Sequence, residues 1–438
     1  MPVKQNKKYL SAIMQSAHQR TLELLQGLTD RQLIGPESPI LNPILWEIGH
    51  VGWFHEHFIL RKEHGHAPLL DRGDQLYDSI AVAHSRRWNL SLYSFEEITY
   101  YLEKVLEKCL SRLEVGLASE RDSYLYQFTT FHEDMHDEAF TWARQTLSYP
   151  SPIFHHDTHE RNFVRCIKTA PLDDGDAYIP GGRFELGARS DSAFLFDNEK
   201  WAHQVTVAPF RMAKSPVTNA EFEEFVEQGG YKNLALWSED GLKWLQEVEA
   251  EHPVYWRHDK VNGWRCRRFD RWINLPPNEP IMHVCWYEAQ AFCRWAGRRL
   301  PTEAEWEFAA TMKPSPDGKE LLKYPYPWGN KLPTPDHACL DGFSLSCIPV
   351  DCCIAGENVW GCRNLIGNVW EWTFDTFNPF PGFTPDDYKE YSKPLFGSTK
   401  VLRGGSWATR SRYVDGKYRN YFQPHRRDIF GGFRTCAL

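Results

Sequence analysis

No stretch of this chain approaches the ~18 consecutive apolar residues that a membrane-spanning helix needs, so no span is expected. The opening MPVKQNKKYL has no apolar core of the signal-peptide kind. Positive charge is not in excess. The formal net charge is -8, which disfavours binding to a phosphate backbone, so no nucleic-acid partner is expected. The cysteines number eleven, an odd count at irregular spacings. The pair Cys352-Cys353, with Cys347 and Cys362 nearby, lacks the Cys-x-x-Cys spacing of a zinc site. Free thiols in a reducing cytoplasm are therefore expected. The chain shows no internal repeat and no low-complexity stretch.

What is present is an ordinary globular composition, 42% hydrophobic and 25% charged over 438 residues, enough for two or three domains. Tryptophan is abundant at 18 residues. It falls largely in Gly-punctuated segments, which suggests an irregular, loop-rich domain. Basic residues cluster between Arg419 and Arg427, a segment better suited to a small anionic substrate than to nucleic acid.

The first 150 residues read as helical. Leu10, Ile13, Met14, Ala17, Thr21 and Leu24 recur at three- and four-residue steps, marking one buried helix face. A second helix is expected from about 43 to 63, with Pro43 in its first turn. A third is expected from about 95 to 113, opened by the capping box Ser94/Glu97. A fourth is expected from about 123 to 147, stopping before Tyr149-Pro150. Four such helices predict an antiparallel bundle, with a long connection from about 64 to 93. Residues 151–177 read as a linker. From 178 to 438 the texture is that of an α+β domain, with helices expected at 219–227, 286–296 and 302–310, the last capped by Thr302 and Glu305.

The fourth helix carries Phe131-His132-Glu133-Asp134-Met135-His136-Asp137-Glu138. Residues four apart share a helix face, so His132 and His136 can grip one ion. They lie on or beside the apolar stripe Leu125, Phe128, Met135, Ala139, Ala143 and should point inward, where an unpaired imidazole is costly. The second helix adds His50 in an apolar setting, with Gly49 and Gly52 allowing close approach. His55 and His57 are nearby competitors expected nearer the solvent side. Glu138, two residues past His136, lies about 200° around a regular helix and is expected to be second to the ion or structural. A rival reading is a zinc protease, since His132-Glu133-x-x-His136 matches H-E-x-x-H with Glu133 as base. No Gly-x-x-His extension follows it.

Beyond Tyr178 stand Ile179-Pro-Gly-Gly-Arg-Phe, Ser215-Pro-Val-Thr-Asn, Arg299-Leu-Pro-Thr-Glu-Ala-Glu-Trp-Glu, Gly367-Asn-Val-Trp-Glu-Trp-Thr, Leu402-Arg-Gly-Gly-Ser-Trp and Gly432-Phe-Arg. This stretch resembles the formylglycine-generating-enzyme domain, of C-type-lectin-like fold. The copper-binding cysteines of the true formylglycine-generating enzymes correspond to Thr409 and Val414, so that chemistry is not expected. Joined to a His-bearing bundle of the DinB type, the whole chain resembles the ergothioneine sulfoxide synthases (EgtB) and their relatives. The resemblance implies Fe(II) on His50, His132 and His136, with O2 as co-substrate. It also implies hercynine (trimethylhistidine) held at its betaine end by Asn420 and Tyr421 in Tyr418-Arg-Asn-Tyr-Phe-Gln-Pro-His-Arg-Arg427. Arg426 is a candidate for the substrate carboxylate.

Three departures bear on the second substrate. The acid that receives γ-glutamylcysteine in the family is Phe422 here. A family tyrosine before Pro-Gly-Phe is Phe380. The stretch Tyr77-Asp-Ser-Ile-Ala-Val-Ala-His84-Ser-Arg-Arg-Trp88 lacks the family's paired tyrosines. These stretches, with Phe131-His-Glu-Asp-Met-His136, are more similar to the selenoneine synthases (SenA), which couple hercynine to a selenosugar. Asp78, His84 and Arg87 become candidates for the donor side. A different class of reading remains: a ligand-binding module that has lost its chemistry. Inward histidines at metal-binding spacing speak for the enzyme.

Overall fold

The computed structural model describes residues 5–116, 119–155, 175–192 and 194–438, and these form two compact units. The first comprises the N-terminal helices through His155 together with residues 190–195. It is built on α1 (Lys7–Leu25), α3 (Ile44–His55), α5 (Phe95–Val115) and α6 (Glu120–Thr146), with short α2 (Asp30–Ile34) and α4 (Gly73–Tyr77) between them. Leu10, Ile13, Met14, Ala17, Thr21 and Leu24 are all buried, so the three-and-four periodicity of α1 marks its core face as expected. Ser94 and Glu97 form the capping box of α5.

Two boundaries differ from expectation. Helix α6 begins three residues earlier than predicted, because Ser119 and Asp122 make a capping box in which the third position is Asp instead of the usual Glu or Gln. The predicted second helix is two segments. It is α-helical to His55 and continues as a π-helix over Glu56–Glu63. At the junction the buried Glu56 accepts hydrogen bonds from the Tyr101 hydroxyl and from the Leu69 amide at 2.7 Å. The long connection after it holds α4 and a 3-10 turn over His84–Asn89. Glycine is required twice on α3. A Cβ at Gly49 would lie 2.2 Å from the Tyr77 ring, and one at Gly52 2.8 Å from the Tyr101 ring. The small residues let the α4 segment and α5 press directly against the α3 backbone.

Most of the predicted linker, residues 156–174, lies outside the described residues. The second unit carries short strands in small sheets. One has the order Asp176–Ile179, Phe210–Ala213, Cys436–Ala437, Arg298–Arg299. Another has the order Asn420–Phe422, Lys400–Arg403, Trp370–Thr376, Gly431–Gly432. Helices stand at Asn219–Glu227, Trp286–Trp295 and Glu303–Thr311, as the sequence implied, the last with the Thr302/Glu305 box. A further helix, Glu239–Val248, capped by Ser238, was not foreseen.

The tryptophan surplus is spent in this core. Trp306, Trp370, Trp372 and Trp407 are fully buried, and Trp306 and Trp372 donate their indole N–H groups to Glu371 and the Val284 carbonyl. Buried charges are paired. Arg434 holds Glu371 through two bonds of 2.7 Å, Arg419 holds Glu303 at 2.7 Å, Arg403 holds Glu303 at 3.0 Å and also meets Glu307, and Lys323 reaches Glu307 at 2.7 Å. The ten described cysteines are all free thiols.

Candidate metal centre

Helix α6 sets His132 and His136 one turn apart, and α3 brings His50 to the same point. Ring centroids are 5.1 Å apart for His50–His132, 5.1 Å for His50–His136 and 4.5 Å for His132–His136. One potential ligand atom from each residue lies within 4.8 Å of the other two. Among the described residues this is the one group of three or more His, Cys, Asp or Glu side chains drawn so close. His132 is fixed by a parallel stack on Phe54, with centroids 3.6 Å apart.

The ring orientations follow from what lies behind them. Nδ1 of His50 is 2.8 Å from the Tyr77 carbonyl oxygen. A carbonyl can only accept, so Nδ1 carries the proton and Nε2 is left with its lone pair. Nδ1 of His136 is 2.5 Å from Oε1 of the buried Glu47 and donates to it in the same way. Nε2 of His136 lies 3.3 Å from Nε2 of His132. Burial, with His136 nearby, pushes His50 down to about 3 and His132 well below the ordinary histidine range. Both are thereby neutral, the form that binds metal. Nitrogen atoms this close, with His136 turning a lone pair inward, suit a shared cation. The all-imidazole donor set fits zinc, copper, nickel or iron, and the carbonyl and carboxylate behind the rings are the partners metal-binding histidines ordinarily have.

The protease reading does not survive this geometry. Glu133 faces the other side of α6, where Oε2 is 2.9 Å from Nε2 of His55 and Oε1 is 2.9 Å from the Thr21 hydroxyl. It cannot act as a base on anything bound at the three histidines. His55 itself corrects an expectation. It is only 5% exposed and is buried on the α1 side of the bundle by its bond to Glu133, not turned toward solvent. A cavity of about 10 Å³ lined by His18, His55 and Glu133 is the size of one water and lies apart from the centre. His57 is half-buried and stacks on Trp53. Glu138 is buried and does not join the three-histidine group.

The donor-side candidates turn out to hold their own loop together. Asp78 accepts from the amides of Ile80 and Ala81, and His84 bonds the Leu41 carbonyl at 2.8 Å. Arg87 bonds Asn42 at 2.7 Å and lies 3.7 Å over the Trp46 ring. Together with the Trp46 indole, which donates to the Leu76 carbonyl at 2.6 Å, these contacts set the backbone that orients His50.

In the second unit, Asn420 and Tyr421 sit on one strand paired with Lys400–Arg403. Asn420 accepts from the Tyr421 amide. Tyr421 stacks on Phe377 at 4.0 Å and donates its hydroxyl to the Tyr391 carbonyl. Each arginine of the basic segment has an acid beside it. Arg426 is held by both oxygens of Asp428 at 2.6 Å, Arg427 by Glu288 at 2.9 Å and Arg419 by Glu303. In each of the three the guanidinium is paired with a carboxylate. The residue that sequence reasoning missed is Glu47. Its signal was visible: a lone acid inside the apolar run Ile44–Phe54, one turn before His50.

A helical bundle with a three-histidine centre, followed by an irregular α+β domain, is the pairing of two known families. A family model described as the DinB superfamily matches residues 13–140, and one described as the sulfatase-modifying factor enzyme 1-like domain matches residues 167–437. The second half alone is 32% identical over 280 residues to a formylglycine-generating enzyme of Streptomyces coelicolor, covering 56% of this chain and 82% of that one. The full chain is 35% identical over 432 residues to a hercynine oxygenase of Mycobacterium tuberculosis, covering 98% of each. It is 34% identical over 435 residues to that of Mycolicibacterium smegmatis, covering 96% of each. This chain belongs to the hercynine oxygenase family. No helix among its described residues is long and apolar enough to cross a membrane.

Proposed function

We propose that the chain holds one Fe(II) on His50, His132 and His136 and uses O2 to join sulfur or selenium to the imidazole carbon of hercynine, with a selenosugar as the donor. The observation that carries this is the inward convergence of three imidazoles in a chain whose full-length relatives are named hercynine oxygenases. Fe(II) bound there supplies a redox-active Lewis acid with coordination positions free beyond the three nitrogens. The protein's part is to fix the three rings through the Tyr77 carbonyl, Glu47 and Phe54. Asn420 and Tyr421 hold the betaine end of hercynine, where an aromatic face suits a quaternary ammonium.

The selenium preference rests on what this chain lacks. Phe422 offers no carboxylate to γ-glutamylcysteine, and Phe380 offers no phenol. The second reading, a sulfur-using ergothioneine enzyme taking cysteine or γ-glutamylcysteine, shares the iron and the hercynine. Anaerobic loading with Fe(II), followed by mass spectrometry of hercynine products with cysteine, γ-glutamylcysteine and selenoglucose offered in parallel, decides between them. Selenoglucose is expected to win by a wide margin in kcat/KM. Equal or better turnover with either thiol overturns the selenium assignment. Asn420→Ala and Tyr421→Ala are expected to weaken hercynine binding, the tyrosine by about 0.5–2 kcal/mol, with iron still bound. Unchanged hercynine affinity in both variants, read by calorimetry, would place the betaine end elsewhere.

A further inference from the structure

Two of the three imidazoles are steered from behind by acceptors of different strength. His50 donates to a neutral backbone carbonyl at 2.8 Å. His136 donates to a side-chain carboxyl at 2.5 Å. That group, Glu47, is 4% exposed and stands in the otherwise apolar start of α3. Among the described residues His136 is its one side-chain partner. Burying a carboxyl group in an apolar helix costs desolvation that one hydrogen bond to a ring does little to offset, so the arrangement is unfavourable for folding alone. The arrangement makes sense once a positive charge sits on the far side of the ring. The carboxylate then faces a cation through one imidazole, strengthens that imidazole as a donor and fixes its rotation.

We infer that Glu47 is a positioning residue that makes His136 a stronger donor than His50 and sets the affinity of the centre for its metal. This rests on the iron reading above. It adds an asymmetry that the three histidines alone do not contain, because the ring backed by a carboxylate and the ring backed by a carbonyl are no longer equivalent ligands.

The test compares the wild-type chain with Glu47→Gln and Glu47→Leu. Fe(II) affinity is read anaerobically by competition with a coloured chelator. The ligand field is read from the visible spectrum of the Co(II)-loaded protein, and the melting temperature is taken without metal. Glu47→Leu is expected to bind Fe(II) about 10- to 100-fold more weakly and to shift the Co(II) bands. Glu47→Gln, which keeps an acceptor but loses the charge, should fall between. The metal-free melting temperature should hold or rise in both, since a buried charge has been removed. Affinity within about two-fold of wild type in Glu47→Leu overturns the inference. So does a loss of affinity that merely follows a fall in metal-free stability. A wild-type chain that takes up no Fe(II) overturns the iron reading itself, whereas full loading of both wild type and Glu47→Leu overturns only the role given to Glu47.

Discussion

In the second unit Arg434 meets Glu371, Arg419 meets Glu303 and Arg427 meets Glu288, each buried cation closed by an acid brought from far along the chain. In the bundle three buried imidazoles converge on one point, and the acid nearest them backs a ring instead of filling the centre. Both regions bury polar groups at the cost of desolvation. The second unit recovers that cost internally, through pairs worth most as a matched set. The bundle recovers part of it behind the rings, through the Tyr77 carbonyl and Glu47, and turns the rings toward one another. Buried polarity by itself therefore says little about function here, and what locates the site is the convergence of three imidazoles on one point.

The sharpest way to break the contrast is to remove a histidine. His132→Ala or His136→Ala is expected to abolish both metal uptake and turnover while the chain still folds. Full metal occupancy in the double variant, measured by elemental analysis, would sink the assignment. Opening a closed pair in the second unit should do the reverse. Arg434→Leu leaves Glu371 buried and unpaired and is expected to cost about 3–5 kcal/mol in denaturant unfolding, with metal stoichiometry unchanged in the protein that remains folded.

Gly49→Ala tests the packing that supports His50. Its new methyl would meet the Tyr77 ring at 2.2 Å, so a loss of about 1–3 kcal/mol is expected. Metal affinity should fall with it, because the ring cannot move without its carbonyl. An exception in the second unit sharpens the contrast. Asp197 is buried, accepts from the Ser392 hydroxyl, and is pushed up to about 6, chiefly by burial. Below the ordinary carboxyl range, near 3.9, both states are protonated and nothing is lost. As pH rises toward 6 the unfolded chain ionises while the native state resists, so stability falls across that window by roughly 2–3 kcal/mol. Asp197→Asn should flatten the slope and raise stability at pH 7.5. An unchanged slope in melts from pH 4 to 7.5 would show that Asp197 is not its source.

The parts legible in the sequence were those written in local spacing. The i, i+4 histidines and the Ser94 and Thr302 capping boxes depend on residues within a turn of one another. Most of what escaped depends on distant partners. The partners of Arg419 and Arg427 were out of view because Glu303 and Glu288 lie more than 100 residues away, whereas the partner of Arg426, Asp428, stands two residues on and was overlooked. His55 looked exposed because Glu133, its partner, is 78 residues distant. Glu47 was overlooked because an acid in an apolar helix gains its meaning only from His136, 89 residues on.

The Thr21 hydroxyl lies 2.9 Å from Glu133 and 2.8 Å from Asp137. A hydroxyl has one hydrogen to give, so it can donate to one of these acids and must accept from the other. Burial and the neighbouring Glu133 and Asp134 push Asp137 far above the usual carboxyl range, which makes it the acid that keeps its proton at neutral pH. Counting residues assigns the chain -8. A proton kept on Asp137 in the fold and lost on unfolding makes the native metal-free chain less negative than that count. Native and urea-unfolded chains should then migrate in capillary electrophoresis as species of unequal charge, after correction for size, with the native form drawn less strongly to the anode.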